Sequence, residues 1–113
     1  MSLAIQRAEF FTTDFEREFA RYVEVAGVEV AWRFQTSLDL AVFKLSNQPD
    51  LGQVRHFRNR NLREMRSFRV ERPFHKLLIF YRVEPGVLKV VRLMHGARDL
   101  PRRLVEPPET ASP

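Results

Sequence analysis

Two apolar runs in the second half of the chain carry the clearest pattern. Leu77 to Val83 is aliphatic and aromatic, broken only by Arg82, and Val87 to Met94 repeats this around Lys89 and Arg92. Glu84-Pro85-Gly86 lies between them. Proline presets φ for a turn and glycine accepts a positive φ, so the runs predict a tight antiparallel hairpin. That hairpin delivers His95, Arg98 and Asp99 to one end of a sheet. Upstream the apolar period lengthens. Phe11, Phe15, Phe19, Tyr22 and Ala26 share one helical face, with Glu16, Arg17, Glu18 and Arg21 on the other. Thr13-Asp14-Phe15-Glu16 fits a capping box at the start of that helix, and Gly27 breaks it. Val30, Phe34, Leu38, Ala41, Val42 and Leu45 define a second helix of about 18 residues, stopping before Asn47-Gln48-Pro49. Trp32 and Phe43 fall off this stripe; they either widen the buried face or meet a partner.

The remaining segments are shorter. Leu3 to Phe11 reads as a first strand. Pro49-Asp50-Leu51-Gly52 is a turn, and Gln53 to Asn61 is polar and basic, the pattern of a loop. Arg60, Arg63, Arg66, Arg69 and Arg72 recur every third residue, which a helix would align and a strand would scatter over both faces. Phe68 and Val70 alternate with Arg69 and a proline follows at 73, so Glu64 to Val70 is read as a strand. Arg98 to Leu104 forms a turn or short helix. The expected architecture is α+β, in the order β-α-α-β-β-β. The last three strands form an antiparallel meander, the first joins it, and the helical hairpin covers one face of the sheet. Residues 1–104 make a single domain, and 105–113, proline-rich and polar, a flexible tail.

Composition narrows the function classes. The chain has 113 residues, 44% hydrophobic, enough for one real core. It has no cysteine, which excludes disulfides and thiolate metal sites. Its longest strictly apolar run, Leu77 to Tyr81, is far short of the roughly 20 residues a membrane helix needs. The start, MSLAIQRAEFF, lacks the basic and apolar regions of a signal peptide, so a soluble cytoplasmic protein is expected. Three histidines without clustered carboxylates make no metal site, and no glycine-rich loop cradles a phosphate, so no cofactor is expected. The net charge of +5 is unevenly spread: residues 1–54 carry −3, residues 55–76 carry +6 and residues 77–113 carry +2. A basic middle attracts phosphate-rich or acidic partners, although an arginine-rich solvated surface has the same composition.

Three stretches resemble the RelE/ParE superfamily of toxins from type II toxin–antitoxin modules. They are Leu45 to Gly52 (LSNQPDLG) at the end of the second helix, Pro73 to Val83 (PFHKLLIFYRV), and Val90 to Asp99 (VVRLMHGARD). The resemblance spans about Asp14 to Leu104 and implies this fold, with either of two activities. One is poisoning of DNA gyrase; the other is ribosome-dependent cleavage of mRNA. Fold alone does not choose between them.

Cleaving RNA through its 2′-OH requires a base, cationic help for the phosphate and an acid for the leaving oxygen. Glu64 is a candidate base, His75 and His95 are candidates to move protons because imidazole is the side chain suited to that near neutral pH, and Arg66, Arg69, Lys76 and Arg82 carry charge for the phosphate. The nuclease branch, however, commonly has an arginine where this chain has Leu78, and a late tyrosine where this chain has none after Tyr81. The HGARD ending is nearer the gyrase branch, which needs a rigid binding surface rather than catalysis. Arg66, Arg69, Lys76, Arg82, Arg92, His95 and Arg98 are the expected target-binding residues. Against these roles, His95 could simply hydrogen-bond locally, and Arg82 either lies on the open face or is buried with a carboxylate. The resemblance also implies a cognate antitoxin, whose acidic segment would wrap the basic middle and anchor beside the helices. A homodimer stays open. The alternative of another class is a non-toxic basic module that binds nucleic acid.

Overall fold

The computed structural model describes residues 2–96 and 100–108. Strand β1 (Ala4–Arg7) leads into helices α1 (Glu9–Ala26) and α2 (Val28–Asn47), joined through Gly27 alone. Strands β2 (Gln53–Val54), β3 (Arg66–Arg69), β4 (Leu77–Glu84) and β5 (Val87–His95) follow, then α3 (Leu100–Val105), with single 3-10 turns at Pro49–Leu51 and Arg60–Leu62. The sheet order is β1-β5-β4-β3-β2. β1 runs parallel to β5, and the other pairs are antiparallel. The α+β architecture and the expected strand and helix order hold; β2 is added, and the turn or short helix expected over Arg98 to Leu104 is helical from Leu100.

The hairpin turns where its sequence demands. Pro85-Gly86 closes β4 onto β5, and Gly86 takes a φ of 75°, open to glycine at little cost. Against one face of the sheet, Phe34, Leu38, Val42 and Leu45 of α2 and Phe11 of α1 pack on Leu77, Ile79, Tyr81, Leu88, Val90 and Leu93.

Strand β5 carries an irregularity that decides what its charged residue does. Phe80 pairs with Arg92 but Tyr81 with Val90, leaving Val91 as a bulge. Simple alternation would set Arg92 beside Leu88 and Val90 under the helices. The bulge hands that place to Leu93, while Val91 and Met94 pack on the other side. The expected open face is therefore covered in part. Leu62 and Met65 from the segment after β2, with Leu104 of α3, bury against Leu78, Phe80 and Met94 as a second small core.

Two boundaries differ from the sequence reading. β1 ends at Arg7, the Ala8 N–H donates to Val90 O, and α1 starts at Glu9. The expected capping box at Thr13–Glu16 consequently lies inside the helix: Thr13 donates to Glu9 O, and Asp14 is wholly buried. The predicted loop also contributes β2, since Gln53 and Val54 pair with Ser67 and Arg66. Toward the C-terminus, α3 runs through Val105 and the Glu106 carbonyl accepts a hydrogen bond from Arg92. Among the described residues no helix is long and apolar enough to cross a membrane.

Candidate target and partner surfaces

Five of the seven expected target-binding residues, Arg66, Arg69, Arg82, Arg92 and His95, are engaged inside the molecule. Arg66 donates to Gly52 O at 2.9 Å and lies 3.8 Å from the Asp50 carboxylate, clamping the Pro49–Gly52 turn. Arg69 donates to His75 O and so ties β3 to the segment before β4. Arg82 reaches off β4 and donates to the carbonyls of Arg63 and Asn61. A guanidinium has five N–H donors in a rigid fork, so one arginine can hold several carbonyls and staple a loop without a carboxylate partner.

Arg92 requires a correction. It is buried at 2% exposure, with Nε 2.8 Å and Nη2 3.1 Å from the two carboxylate oxygens of Asp14. Its Nη1 donates to the carbonyls of Arg103, Leu104 and Glu106 at the end of α3, and its guanidinium lies over the Phe10 ring. Asp14 also accepts the Leu93 N–H at 3.0 Å. This pair joins α1, β5 and α3, and a target cannot reach it. Lys76 is exposed, and Arg98 lies outside the described residues.

The nuclease candidates do not converge. Arg66 pairs with Tyr81 while His95 pairs with Leu77. At roughly 3.3 Å per residue, these positions stand about 13 Å apart along the strand. Arg66 and Arg82 fall on opposite faces, because Tyr81 and Arg82 are consecutive in β4. Glu64 sits exposed in the turn before β3, with a φ of 59°. The half-buried His75 has its Nδ1 buried without a partner. One local pair has catalytic chemistry: His95 Nε2 lies 3.3 Å from Glu18 Oε1, and Arg21 donates to the other oxygen of that carboxylate at 3.1 Å. Glu18 is only 4% exposed, so it fixes His95 at the end of β5.

A different surface runs along the outer side of α2. Trp32 is 56% exposed, and Leu40 and Phe43 are each 61% exposed. Trp32 packs edge-on to Phe19 with ring centroids 5.3 Å apart. Between α2 and the segment that follows β3 lies a cavity of about 500 Å³, bordered by Trp32, Arg33, Ser37, Arg72 and Phe74. Ser37 also borders the next cavity, of about 280 Å³, with Leu40, Lys44, Phe68 and Arg69. Along α2 the groove mixes apolar Trp32, Leu40 and Ala41 with polar Thr36 and Ser37, and Arg33, Lys44, Arg69 and Arg72 give it a cationic rim, with Glu71 as the acidic lining residue.

Sequence reasoning missed Asp14 and Glu18 as functional partners of β5. Their signal was present: on α1 they are four apart, hence on one face, and that face meets the charged residues of β5.

The comparisons agree with this geometry. The family model for the ParE toxin of type II toxin–antitoxin systems, parDE, matches residues 8–100. Among solved structures, the chromosomal ParDE TA system from P. aeruginosa is similar, with a TM-score of 0.68 at 17% identity over 83% of this chain and 96% of that one. A comparison with curated proteins gave no match.

Proposed function

The chain belongs to the ParE toxin family of type II toxin–antitoxin systems, and on that premise we propose that it arrests growth by poisoning DNA gyrase in the cytoplasm until a cognate antitoxin neutralises it. The observation that carries the gyrase reading is the dispersal of the nuclease candidates. Arg66, Arg82 and His95 occupy different faces and ends of β4 and its neighbours, so no single phosphate could meet all three. A poison needs only a rigid surface, and arginine staples make this one rigid.

The antitoxin segment would be an acidic amphipathic stretch laid along α2. Trp32, Leu40 and Phe43 offer apolar anchor points, and Arg33, Lys44, Arg69 and Arg72 offer complementary charge. A toxin and antitoxin encoded side by side would stabilise a plasmid or chromosomal segment that carries both genes.

The His95–Glu18 pair favours the second reading, ribosome-dependent cleavage of mRNA, because a carboxylate-held imidazole can move a proton. Inducing the chain alone separates the two. Supercoiling arrest with double-strand breaks, and intact mRNA, is the expected result. Ribosome-dependent mRNA cuts with normal supercoiling would replace the gyrase reading, and normal growth at confirmed expression would remove both.

A further inference from the structure

The face of the sheet opposite α1 and α2 carries a cationic display that is held rigidly in place. Residues 55–63 contain Arg55, Arg58, Arg60 and Arg63 and no acidic residue. Arg58, Arg60 and Arg63 are exposed. The segment that bears them is fixed from below. Leu62 and Met65 are buried in the second core, the Asn59 side chain accepts the Asn61 N–H at 2.9 Å, and Arg82 holds the carbonyls of Asn61 and Arg63. α3 packs on the Arg60–Leu62 turn and adds the exposed Arg102, which lies 3.7 Å from the Glu106 carboxylate.

Arg82 and Lys89 are direct cross-strand partners, both half-buried, a like-charge pairing that an anion would relieve; Arg82 also donates to the Asn61 and Arg63 carbonyls, and Glu84 stands two residues on, on the same face of β4. The helical layer carries no such excess: residues 8–48 hold seven acidic and four basic side chains, but Asp14 and Glu18 are buried against Arg92 and His95. The cationic side is pre-organised, which spares a ligand the cost of ordering it.

We propose that this face binds duplex DNA through the phosphodiester backbone, without base recognition. The cations of the fixed segment are all arginine, whose fork matches phosphate oxygens. An acidic peptide would need apolar anchors, and the exposed Trp32, Leu40 and Phe43 lie on α2, in the opposite layer. A single strand would need exposed aromatic platforms, whereas Phe57 is half-buried against the second core. The inference goes beyond gyrase poisoning and is measured without any topoisomerase.

The test titrates the purified chain into a short labelled DNA duplex and follows fluorescence anisotropy across salt concentrations. With Arg58, Arg60, Arg63, Lys89 and Arg102 on phosphates, log K should fall against log salt with a slope of about −4 to −5. Arg58→Gln with Arg60→Gln should make the slope shallower by about 2 while leaving thermal unfolding unchanged. Lys44→Gln, on the helical layer, should leave binding as it is. Absence of binding at low salt overturns the proposal, as does a slope that the double substitution leaves intact. Equal competition by unlabelled single-stranded DNA also overturns it. DNA binding with no effect on gyrase would count against the proposed function alone, and gyrase poisoning without DNA binding against this inference alone.

Discussion

Asp14 and Arg92 show how one buried pair sets a local structure. Each is at most 2% exposed, and the carboxylate serves both the guanidinium and the Leu93 N–H. Removing one member of such a pair leaves the other charge buried and alone. Asp14→Ala should therefore cost about 3–5 kcal/mol in urea unfolding; an unchanged midpoint would contradict this account. Tyr81 is a second such residue. Its hydroxyl donates to Pro49 O at 2.7 Å and accepts the Gly52 N–H at 2.8 Å. A Cβ on Gly52 would meet that hydroxyl at 2.2 Å, so the ring and the turn require glycine there. Tyr81→Phe orphans both backbone groups and should cost about 1–3 kcal/mol. Burial raises the Tyr81 hydroxyl above its ordinary pKa, against the opposing Gly52 hydrogen bond. The unfolded chain ionises first, so this contribution is intact below pH about 10 and is lost as pH rises further. An alkaline unfolding series in which Tyr81→Phe shows a weaker loss than wild type checks the sign. The sequence made one of these residues legible and disguised another. A lone charge in an apolar strand prompts the choice between open face and buried pair. Arg82 poses that choice and sits half-buried over backbone carbonyls, whereas Arg92 is the residue with the buried carboxylate. The bulge at Val91 made the difference, and no strand pattern announces a bulge.

Among the elements, those with long apolar periods were read correctly and those fixed by distant contacts were not. The stripe of α2 and the β4–β5 hairpin repeat over many residues, so their burial is written into local order. On α1, by contrast, Phe11, Phe15 and Tyr22 pack on the core, Ala26 is exposed, and Glu18, expected on the outer side, is buried. The start of α1 was misplaced because Thr13-Asp14-Phe15-Glu16 imitates a cap, although the apolar stripe already began at Phe11. Ala8 ends β1 by donating to Val90, 82 positions away, a constraint that only the folded sheet supplies. The polar, basic segment after β2 has the pattern of a loop, and most of it is irregular. Its order comes from Leu62 and Met65, buried in the second core, and from Arg82 reaching up from β4. Leu62→Ala should cost about 2–5 kcal/mol. It should also speed amide exchange from Arg55 to Met65 well beyond that in β4 and β5. Exchange accelerated equally everywhere would mean that the segment does not open as a unit. The expected catalytic set was scattered for the same reason. Arginines placed three apart on a strand alternate faces, so their sequence proximity never implied one site.

For the whole molecule, two opposed surfaces suggest two kinds of partner. The α2 side mixes apolar and polar positions within a cationic rim, while the far side is cationic over rigid backbone. If the antitoxin docks along α2, its energy should concentrate in the aromatic anchors. Trp32 and Phe43 are exposed well beyond what core packing needs, and burying either against a partner removes large apolar area from water. Trp32→Ala and Phe43→Ala should each weaken antitoxin affinity by about 2 kcal/mol or more, roughly thirtyfold, as truncated hot spots do. The loss should appear mainly in the dissociation rate and change little with salt, because apolar burial is not screened. Trp32 also rests on Phe19, so a melting curve must accompany its affinity; Phe43→Ala supplies a measurement free of that contact. Neutralising Arg58 and Arg60 on the opposite face should leave the antitoxin complex intact. Should calorimetry show the reverse, with the antitoxin indifferent to both aromatics and dependent on those two arginines, the antitoxin would occupy the cationic face, and the division of partners between the layers would be wrong.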